Sequence, residues 1–233
     1  MSIRGILFDL DGTLFAREVA FWSWLQEEAG AQNLDWATIA ELDARGHGPK
    51  APLLEHLALA LGWPERSLDA RLQRLRSGVL RYARPDPRLH DLLRRLQRGY
   101  RLGVVTNGSS QAQRGKLRGL QIEEFFDPII VSEEVGHRKP EFAIFRLATR
   151  GWSIVHGELL FVGDDSLKDI GAARGAGMIT LQVLSEPARV ADPEIARTIA
   201  AVREPADDTA SVPCLWDIED WLDGRQSQSP SRV

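Results

Sequence analysis

The sequence predicts an α/β fold, a Rossmann-like, doubly wound parallel sheet that carries an inserted α-helical module. Short apolar runs alternate with stretches of helical pattern along most of the chain, as in repeated βα units. These runs are continuously apolar, which is typical of parallel strands covered on both faces. One interval, after the first run, is too long for a simple crossover. The 233 residues suffice for one large domain or for a core with one insertion.

The predicted strands follow one another in the order that such a core requires. The apolar runs lie at residues 3–8, 101–106, 128–131, 159–162, 178–183 and 211–213. The stretches between them are predicted to be helices or turns, and they include a helix over 193–202 before the short last strand.

The interval after the first strand predicts a separate helical module. It contains no convincing strand, but its apolar residues recur at helical spacing. Two such sets are Phe21, Trp24 and Leu25, and Leu53, Leu54, Leu57 and Leu61. We therefore expect a core domain of residues 1–14 and 85–223, a helical domain of residues 15–84, and a polar, flexible tail of residues 224–233.

The amino-acid composition limits the classes of partner and the cellular compartment that we expect for this protein. Lys and Arg total 29 against 33 Asp and Glu, so the net charge of −4 gives no attraction for nucleic acid. No apolar run approaches the roughly 18 residues of a membrane span, so we expect no membrane association. The single cysteine, Cys214, excludes an intramolecular disulfide. A cytoplasmic protein is expected.

Two carboxylates follow the first predicted strand. Asp9 and Asp11 stand at spacing i, i+2 and precede Gly12, which permits a turn that brings both to one site. Ligands of open α/β sheets bind at such strand ends. An ordinary acidic turn is the alternative. A calcium loop is disfavoured, because its twelfth position would be Ala20 instead of Glu.

The second strand ends in a candidate anion site. Thr106, Asn107 and Gly108 offer a hydroxyl and backbone N–H groups where a strand turns into a helix. The alternative is that Ser109 or Ser110 simply caps the following helix.

The later segments add one cation and three carboxylates. Lys139 precedes a predicted helix, where a solvated surface charge is the alternative to a functional one. Asp164, Asp165 and Asp169 follow the fourth strand, and their mutual repulsion favours a hard divalent cation. Helix capping would account for one or two of them, but a divalent cation explains more of the three.

Taken in order, these residues resemble the four motifs of the haloacid dehalogenase superfamily of phosphotransferases. The resemblance extends from residue 6 to about 178. Within the superfamily, the sequence is similar to the branch that has a helical cap after the first motif, which includes pyrimidine nucleotidase-like and phosphoglycolate phosphatase-like members. Its four positions are Asp9 with Asp11, Thr106, Lys139, and Asp164 with Asp169.

The resemblance implies a role for each position. Asp9 would be the nucleophile that forms an aspartyl-phosphate, and Asp11 the general acid and base. Thr106, the amide of Asn107 and Gly108 would bind the phosphoryl group, while Lys139 would neutralise its charge. The metal ion would be Mg²⁺, and its ligands would be Asp9, the Asp11 carbonyl and Asp164, with Asp165 or Asp169 acting through water or orienting Lys139.

The resemblance also ranks the reactions. The second aspartate, Asp11, is absent from the dehalogenases of the superfamily, so its presence favours phosphoryl transfer. We expect a phosphatase acting on a small phosphorylated metabolite, with a phosphomutase or a non-catalytic phosphate-binding regulatory protein as alternatives. We expect a monomer or a weak homodimer.

The helical module would supply specificity if it closes over the site. Residues 43–50 place two cations, Arg45 and Lys50, in one loop that suits an anionic or polar substrate tail. A solvated turn between helices is the alternative.

Overall fold

A six-stranded parallel sheet is the centre of the fold in a computed structural model that describes residues 2–184 and 209–227. Its spatial order is β3-β2-β1-β4-β5-β6. The strands are β1 (Gly5–Phe8), β2 (Arg101–Thr106), β3 (Ile129–Val131), β4 (Leu159–Gly163), β5 (Ile179–Val183) and β6 (Ser211–Val212).

Helices occupy the intervals between strands. They are α1 (Arg17–Ala29), α2 (Trp36–Asp43), α3 (Lys50–Leu61), α4 (Leu68–Leu80), α5 (Pro87–Leu96), α6 (Ser110–Leu120), α7 (Ser132–Val135), α8 (Phe142–Thr149), α9 (Ala172–Gly175) and α10 (Ile218–Ser227). A π-helical turn, Ser166–Gly171, precedes α9. The helix predicted over 193–202 lies outside the described residues.

The order of the strands confirms the predicted doubly wound α/β class. From β1 the chain proceeds outward through β2 and β3, then returns to the other side of β1 and continues outward through β4, β5 and β6. The direction of winding therefore reverses beside β1. In open parallel sheets this reversal produces a crevice at the carboxyl ends of the strands, where ligands bind.

Apolar burial explains the central strands. Every residue of β1 and β4 is buried, and Ile6 pairs in register with Leu160. Helix α8 packs beneath the sheet, where the rings of Phe145 and Phe161 meet edge to face with centroids 5.4 Å apart. A parallel sheet with helices on its faces gives its strands no polar face, hence the continuous apolar runs.

The described chain divides into two compact units. One contains the sheet and consists of the described residues up to Phe15 and from Arg84 onward; the other is Ala16–Ala83. Within Ala16–Ala83 the structure has helices and turns but no strand. Trp24 is buried against Gly78 of α4, which lets α1 and α4 approach closely.

The C-terminal end differs from the expectation of a flexible tail beginning at residue 224. Helix α10 continues through Ser227. Leu222 is buried, and the Arg225 guanidinium lies over the ring of Trp221, 5.2 Å from its centroid. This cation–π contact and the buried leucine stabilise turns that composition alone marks as frayed. Residues 228–233 lie outside the described residues.

None of the helices in residues 2–184 and 209–227 combines the length and the apolar character that a membrane span requires.

Candidate active site

The carboxyl ends of three neighbouring strands form the candidate site. Phe8, the last residue of β1, pairs with Val104 of β2 on one side and with Val162 of β4 on the other. Asp9 follows directly, and its backbone N–H donates to the Val162 carbonyl, 2.9 Å away. Because all strands are parallel, the polar residues after β1, β2 and β4 reach the same edge of the sheet.

Lys139 is buried between two of these carboxylates. Its Nζ donates to Asp9 Oδ1 at 2.5 Å and to Asp169 Oδ1 at 2.6 Å. The three residues are between 2% and 5% exposed. A charge this deeply buried must be paired. The alternative of a solvated surface lysine is therefore wrong.

Asp9, Asp164 and Asp169 form a cluster of carboxylates. Each offers an oxygen, and these three oxygens lie within 4.8 Å of one another. Two glycines allow this approach: a Cβ on Gly163 would lie 2.5 Å from Asp169 Oδ2, and one on Gly12, whose φ is +84°, would overlap the Asp164 carboxylate. Oxygen donors at this spacing suit a hard divalent cation.

The electrostatics of the site leave a deficit of positive charge. Burial raises the pKa of Asp9 well above its usual range; Lys139 opposes this effect, and the charges of Asp169 and Asp164 add to it. Burial alone would lower the pKa of Lys139, but the charges of Asp169 and Asp9 outweigh it, so the net pKa of the ammonium is raised. Lys139 stays charged, and a further cation would favour the Asp9 carboxylate.

The side chain of Asp11 is held by residues of α6. Lys116 Nζ donates to both Asp11 oxygens at 2.6 Å, and Gln113 Nε2 donates to Oδ2 at 3.1 Å. Sequence reasoning missed both residues. Their spacing of three residues predicts that they share one face of a helix, but nothing in the sequence indicates that this face contacts Asp11.

The strand-to-helix turn after β2 joins the predicted motifs to one another. Thr106 Oγ1 accepts from Gln113 Nε2 at 2.6 Å. Asn107 fixes the backbone of Lys139, because its Nδ2 donates to the Lys139 carbonyl at 2.9 Å and its Oδ1 accepts from the Lys139 N–H at 2.8 Å. The Gly108 N–H donates to Ser132 Oγ at 3.0 Å.

Capping accounts for two of the polar residues. Ser109 caps α6, accepting from the Ala112 N–H at 3.4 Å. Asp165 caps the π-helical turn, because its Oδ1 accepts from the N–H groups of Leu167 and Lys168 at 2.9 and 2.7 Å. Asp169 instead contacts Lys139 and accepts the Asp165 N–H on Oδ2 at 3.1 Å.

Of the two predicted cations of the helical unit, Lys50 lies near a buried ion pair. Arg45 is in the 3₁₀ turn Ala44–Gly46. Lys50 Nζ donates to the Gly46 carbonyl at 2.9 Å and lies 3.6 Å from Asp43. Asp43 is buried and pairs with Arg17, which sequence reasoning did not single out.

Comparison with known proteins gives the family. A family model described as haloacid dehalogenase-like hydrolase matches residues 6–183. The chain is 31% identical over 197 residues to a glyceraldehyde 3-phosphate phosphatase of Methanopyrus kandleri, covering 78% of this chain and 84% of the relative. It is 32% identical over 190 residues to a phosphoserine phosphatase of Thermus thermophilus, covering 76% and 74%.

A solved structure has the same fold. The HAD-hydrolase YfnB of Bacillus subtilis, determined with magnesium bound, aligns with a TM-score of 0.72 at 21% identity, over 96% of this chain and all of that one. Together these matches confirm the resemblance seen in the four motifs and the expectation of an enzyme of the phosphatase type. The chain belongs to the haloacid dehalogenase-like hydrolases.

Proposed function

We infer that the protein is a Mg²⁺-dependent phosphatase that hydrolyses a small phosphomonoester through an aspartyl-phosphate on Asp9. One observation carries this inference: Lys139 is buried between Asp9 and Asp169, with Asp164 completing the cluster of carboxylates. The arrangement joins a nucleophile to positive charge at the edge of the sheet where ligands bind.

The first step transfers the phosphoryl group to the enzyme. Asp9 Oδ2 attacks, because Oδ1 accepts the hydrogen bond from Lys139. The new bond joins Oδ2 to phosphorus, and the bond from phosphorus to the ester oxygen breaks. The leaving alkoxide takes a proton from the Asp11 carboxyl group. Thr106 and the N–H of Asn107 donate to the phosphoryl oxygens, and Lys139 offsets their charge.

The second step regenerates the enzyme. The Asp11 carboxylate removes a proton from water while the water oxygen bonds to phosphorus. The bond between phosphorus and Asp9 breaks, its electron pair returns to the Asp9 carboxylate, and inorganic phosphate leaves. One difficult displacement is thus divided into two easier ones.

The residues present fit a divalent cation. Asp9 and Asp169 pair with Lys139, and Asp164 joins them as a third carboxylate, so the cluster carries more negative than positive charge. Asp9, Asp164 and the Asp11 carbonyl would hold Mg²⁺, with Asp165 or Asp169 in support. When bound, Mg²⁺ supplies positive charge that reduces repulsion between the anionic nucleophile and the phosphate.

The substrate class is a small phosphomonoester. The relatives' names refer to two different small phosphate esters, glyceraldehyde 3-phosphate and phosphoserine, so the shared group is the phosphate. The helical unit carries the specificity in this proposal, with Arg45 and Lys50 as contacts for an anionic part of the substrate. A single cysteine is consistent with work in the reducing cytoplasm.

The test is phosphate release from a panel of nucleotides, sugar phosphates, phosphoamino acids and triose phosphates. We expect release with Mg²⁺, none with EDTA, and at least a 10³-fold loss in Asp9→Asn, on the order of other catalytic nucleophile losses. The control is Asp69→Asn, which changes an exposed aspartate of α4.

Other outcomes would contradict the proposal. Full activity in Asp9→Asn would exclude Asp9 as the nucleophile. Isomerisation of a sugar phosphate without net phosphate release would indicate a phosphomutase. Binding of a phosphate mimic without turnover of any ester would indicate a non-catalytic phosphate-binding protein.

A further inference from the structure

Helix α6 carries two buried polar side chains that belong to none of the four motifs. Gln113 is 1% exposed and Lys116 is 8% exposed. They stand three residues apart and therefore lie on the same face of the helix. Burying a lysine and an amide is costly unless each finds partners. Their partners are two residues of the proposed catalytic machinery.

The hydrogen bonds form one continuous network. Lys116 Nζ donates to both oxygens of Asp11 at 2.6 Å and to Gln113 Oε1 at 2.7 Å. Gln113 Nε2 donates to Asp11 Oδ2 at 3.1 Å and to Thr106 Oγ1 at 2.6 Å. Lys116 Nζ also lies 5.5 Å from the centroid of the Phe15 ring.

The Gln113 amide has only one satisfactory orientation in this network. With Oε1 toward Lys116 and Nε2 toward Asp11, every contact joins a donor to an acceptor. A flipped amide would set an oxygen against the Asp11 carboxylate and an NH₂ group against the ammonium. Lys116 thus fixes Gln113, and Gln113 fixes the two groups beyond it.

The network prepares Thr106 as a donor. Because Gln113 Nε2 donates to its hydroxyl oxygen, the Thr106 hydroxyl hydrogen points away from Gln113. In that orientation it can donate to a phosphoryl oxygen.

The network also holds the side chain of Asp11 in place. Lys116 Nζ donates to both Asp11 oxygens, and Gln113 Nε2 donates to Oδ2 as well. These are the oxygens that exchange protons with the leaving group and with water in the two proposed steps.

We propose that Lys116 and Gln113 are positioning residues that hold the Asp11 carboxylate for hydrolysis of the aspartyl-phosphate, and that Gln113 also orients Thr106 toward the phosphoryl group. This inference rests on the proposed phosphatase function. Neither residue touches the phosphate; both act through Asp11 and Thr106.

The test separates the two chemical steps with p-nitrophenyl phosphate, whose good leaving group needs little protonation. In Lys116→Met we expect phosphoenzyme hydrolysis to slow about 10-fold, within the range of general-base contributions. Phosphoenzyme then accumulates, so a burst of p-nitrophenol stoichiometric with enzyme precedes slow turnover. Lys116→Arg, which can still donate to both oxygens, restores most of the rate. Arg118→Met, an exposed cation of the same helix, behaves as wild type.

A double-mutant cycle distinguishes positioning from general damage. In an Asp11→Asn background, Lys116→Met should change phosphoenzyme hydrolysis less than about 2-fold, because its effect passes through Asp11. Gln113→Met should both slow hydrolysis and weaken inhibition by inorganic phosphate about 5-fold, whereas Lys116→Met, which reaches Thr106 only through Gln113, should weaken phosphate inhibition less. If Lys116→Met fails to fold, Lys116→Arg and Gln113→Met carry the test.

The outcomes that overturn this inference differ from those that overturn the proposed function. Wild-type hydrolysis rates in folded Lys116→Met and Gln113→Met, with Asp9→Asn inactive, would remove the positioning role and leave the phosphatase intact. A 10-fold effect of Lys116→Met that persists in the Asp11→Asn background would also overturn it. Full activity of Asp9→Asn would instead refute the proposed function itself.

Discussion

Side chains in the site are held by ion pairs, and a neighbouring glycine leaves the space that they occupy. Lys139 joins Asp9 to Asp169, and Asp169 also accepts the N–H of Asp165. Asp169 therefore has hydrogen bonds on both carboxylate oxygens and little room to move. The last residue of β4, Gly163, lies against it without a Cβ. This close approach gives the first prediction.

Gly163→Ala should displace Asp169 and lower activity. The added Cβ would lie 2.5 Å from Asp169 Oδ2 and 2.6 Å from its Cβ, closer than van der Waals contact allows. We expect a loss of at least about 10-fold in kcat, since small misplacements of catalytic groups are costly. We also expect a destabilisation of about 1–3 kcal/mol from overpacking. Steady-state kinetics and urea denaturation measure the two effects.

The matched control is Gly175→Ala at the end of α9, where a Cβ would meet no atom within 4 Å. Alanine there should be neutral or slightly stabilising, because it reduces the freedom of the unfolded chain. If Gly163→Ala matched this control in both kcat and stability, the packing of Asp169 against β4 would not matter for the site.

The position of a site residue could be predicted where the neighbouring sequence indicates the element that carries it. Asp9 and Asp164 follow apolar strands, so their place at the sheet edge can be predicted from position alone. Lys116 lies in a helix whose pattern indicates only that one face is buried. Its contact with Asp11 crosses 105 residues of sequence, and no local pattern encodes that meeting. The contact depends on the tertiary packing that brings α6 to Asp11, after β1, and to Thr106, at the end of β2.

At the scale of elements, a bidentate ion pair connects α6 to the short helix α7. Arg114 donates to Glu134 through Nε at 3.0 Å and through Nη2 at 2.8 Å, and Ser110 Oγ donates to it at 2.6 Å. The hydrogen bonds from Arg114, and then that from Ser110, lower the pKa of Glu134 to about 2. Helix α7 has four residues and no buried one, so this pair is a major link to its neighbour.

Glu134→Gln should therefore destabilise the protein in a pH-dependent way. Because the folded pKa is lower than the unfolded value of about 4.3, the carboxylate contributes stability above that value. The contribution is lost as pH falls from about 4.3 toward 2. We expect a difference of about 1 kcal/mol or less at pH 7, as for exposed pairs, and about half of that difference near pH 3. Urea denaturation at the two pH values measures it.

Glu124→Gln is the control for this prediction, since it changes an exposed glutamate in the 3₁₀ turn Glu123–Phe125. It should leave stability nearly unchanged at both pH values. A Glu134→Gln effect of constant size from pH 7 to about pH 3 would show that the lost stability does not come from the ionised carboxylate.

Element boundaries were predictable where apolar runs end and harder elsewhere. The second strand coincides with its predicted range, and β4 extends one residue further, to Gly163. Helix α10 extends beyond residue 224, where a flexible tail is predicted, and composition alone does not indicate the cation–π contact between Arg225 and Trp221 in its last turns. Capping residues such as Asp165 and Ser109 could be recognised as candidates, but a cap and a ligand share the same residue types.

At the scale of the whole chain, the helical unit is inserted between β1 and the rest of the sheet unit. The proposed catalytic residues Asp9, Thr106, Lys139 and Asp164 all belong to the sheet unit. The long interval without strands predicts such an insertion, because a crossover needs far fewer residues. The sequence does not indicate which face of the helical unit would bind a substrate. Cations such as Lys50 and Arg17 can pair with a buried carboxylate, as both do with Asp43, or with a ligand.

The cluster of carboxylates should couple metal binding to the stability of the folded chain. Asp9, Asp164 and Asp169 repel one another in the folded state, and Lys139 compensates only part of their charge. A cation that binds only the folded state adds RT ln(1 + [L]/Kd), about 2.7 kcal/mol at a hundredfold excess over Kd. We therefore expect Mg²⁺ to raise Tm relative to EDTA at matched ionic strength, as measured by calorimetry.

Asp164→Asn should keep or raise the stability of the metal-free protein and should remove most of the stabilisation by Mg²⁺. With EDTA the variant should be as stable as wild type or more stable, because one repulsive charge next to Asp9 is removed. With Mg²⁺ it should gain little, because a ligand of the ion is lost. Asp69→Asn, in the helical unit, should keep the full wild-type response. An Asp164→Asn variant with an undiminished Mg²⁺ shift would place the ion elsewhere. If Asp164→Asn were less stable than wild type in EDTA, Asp164 would stabilise the fold through its own hydrogen bonds, and its charge would not be a net source of repulsion.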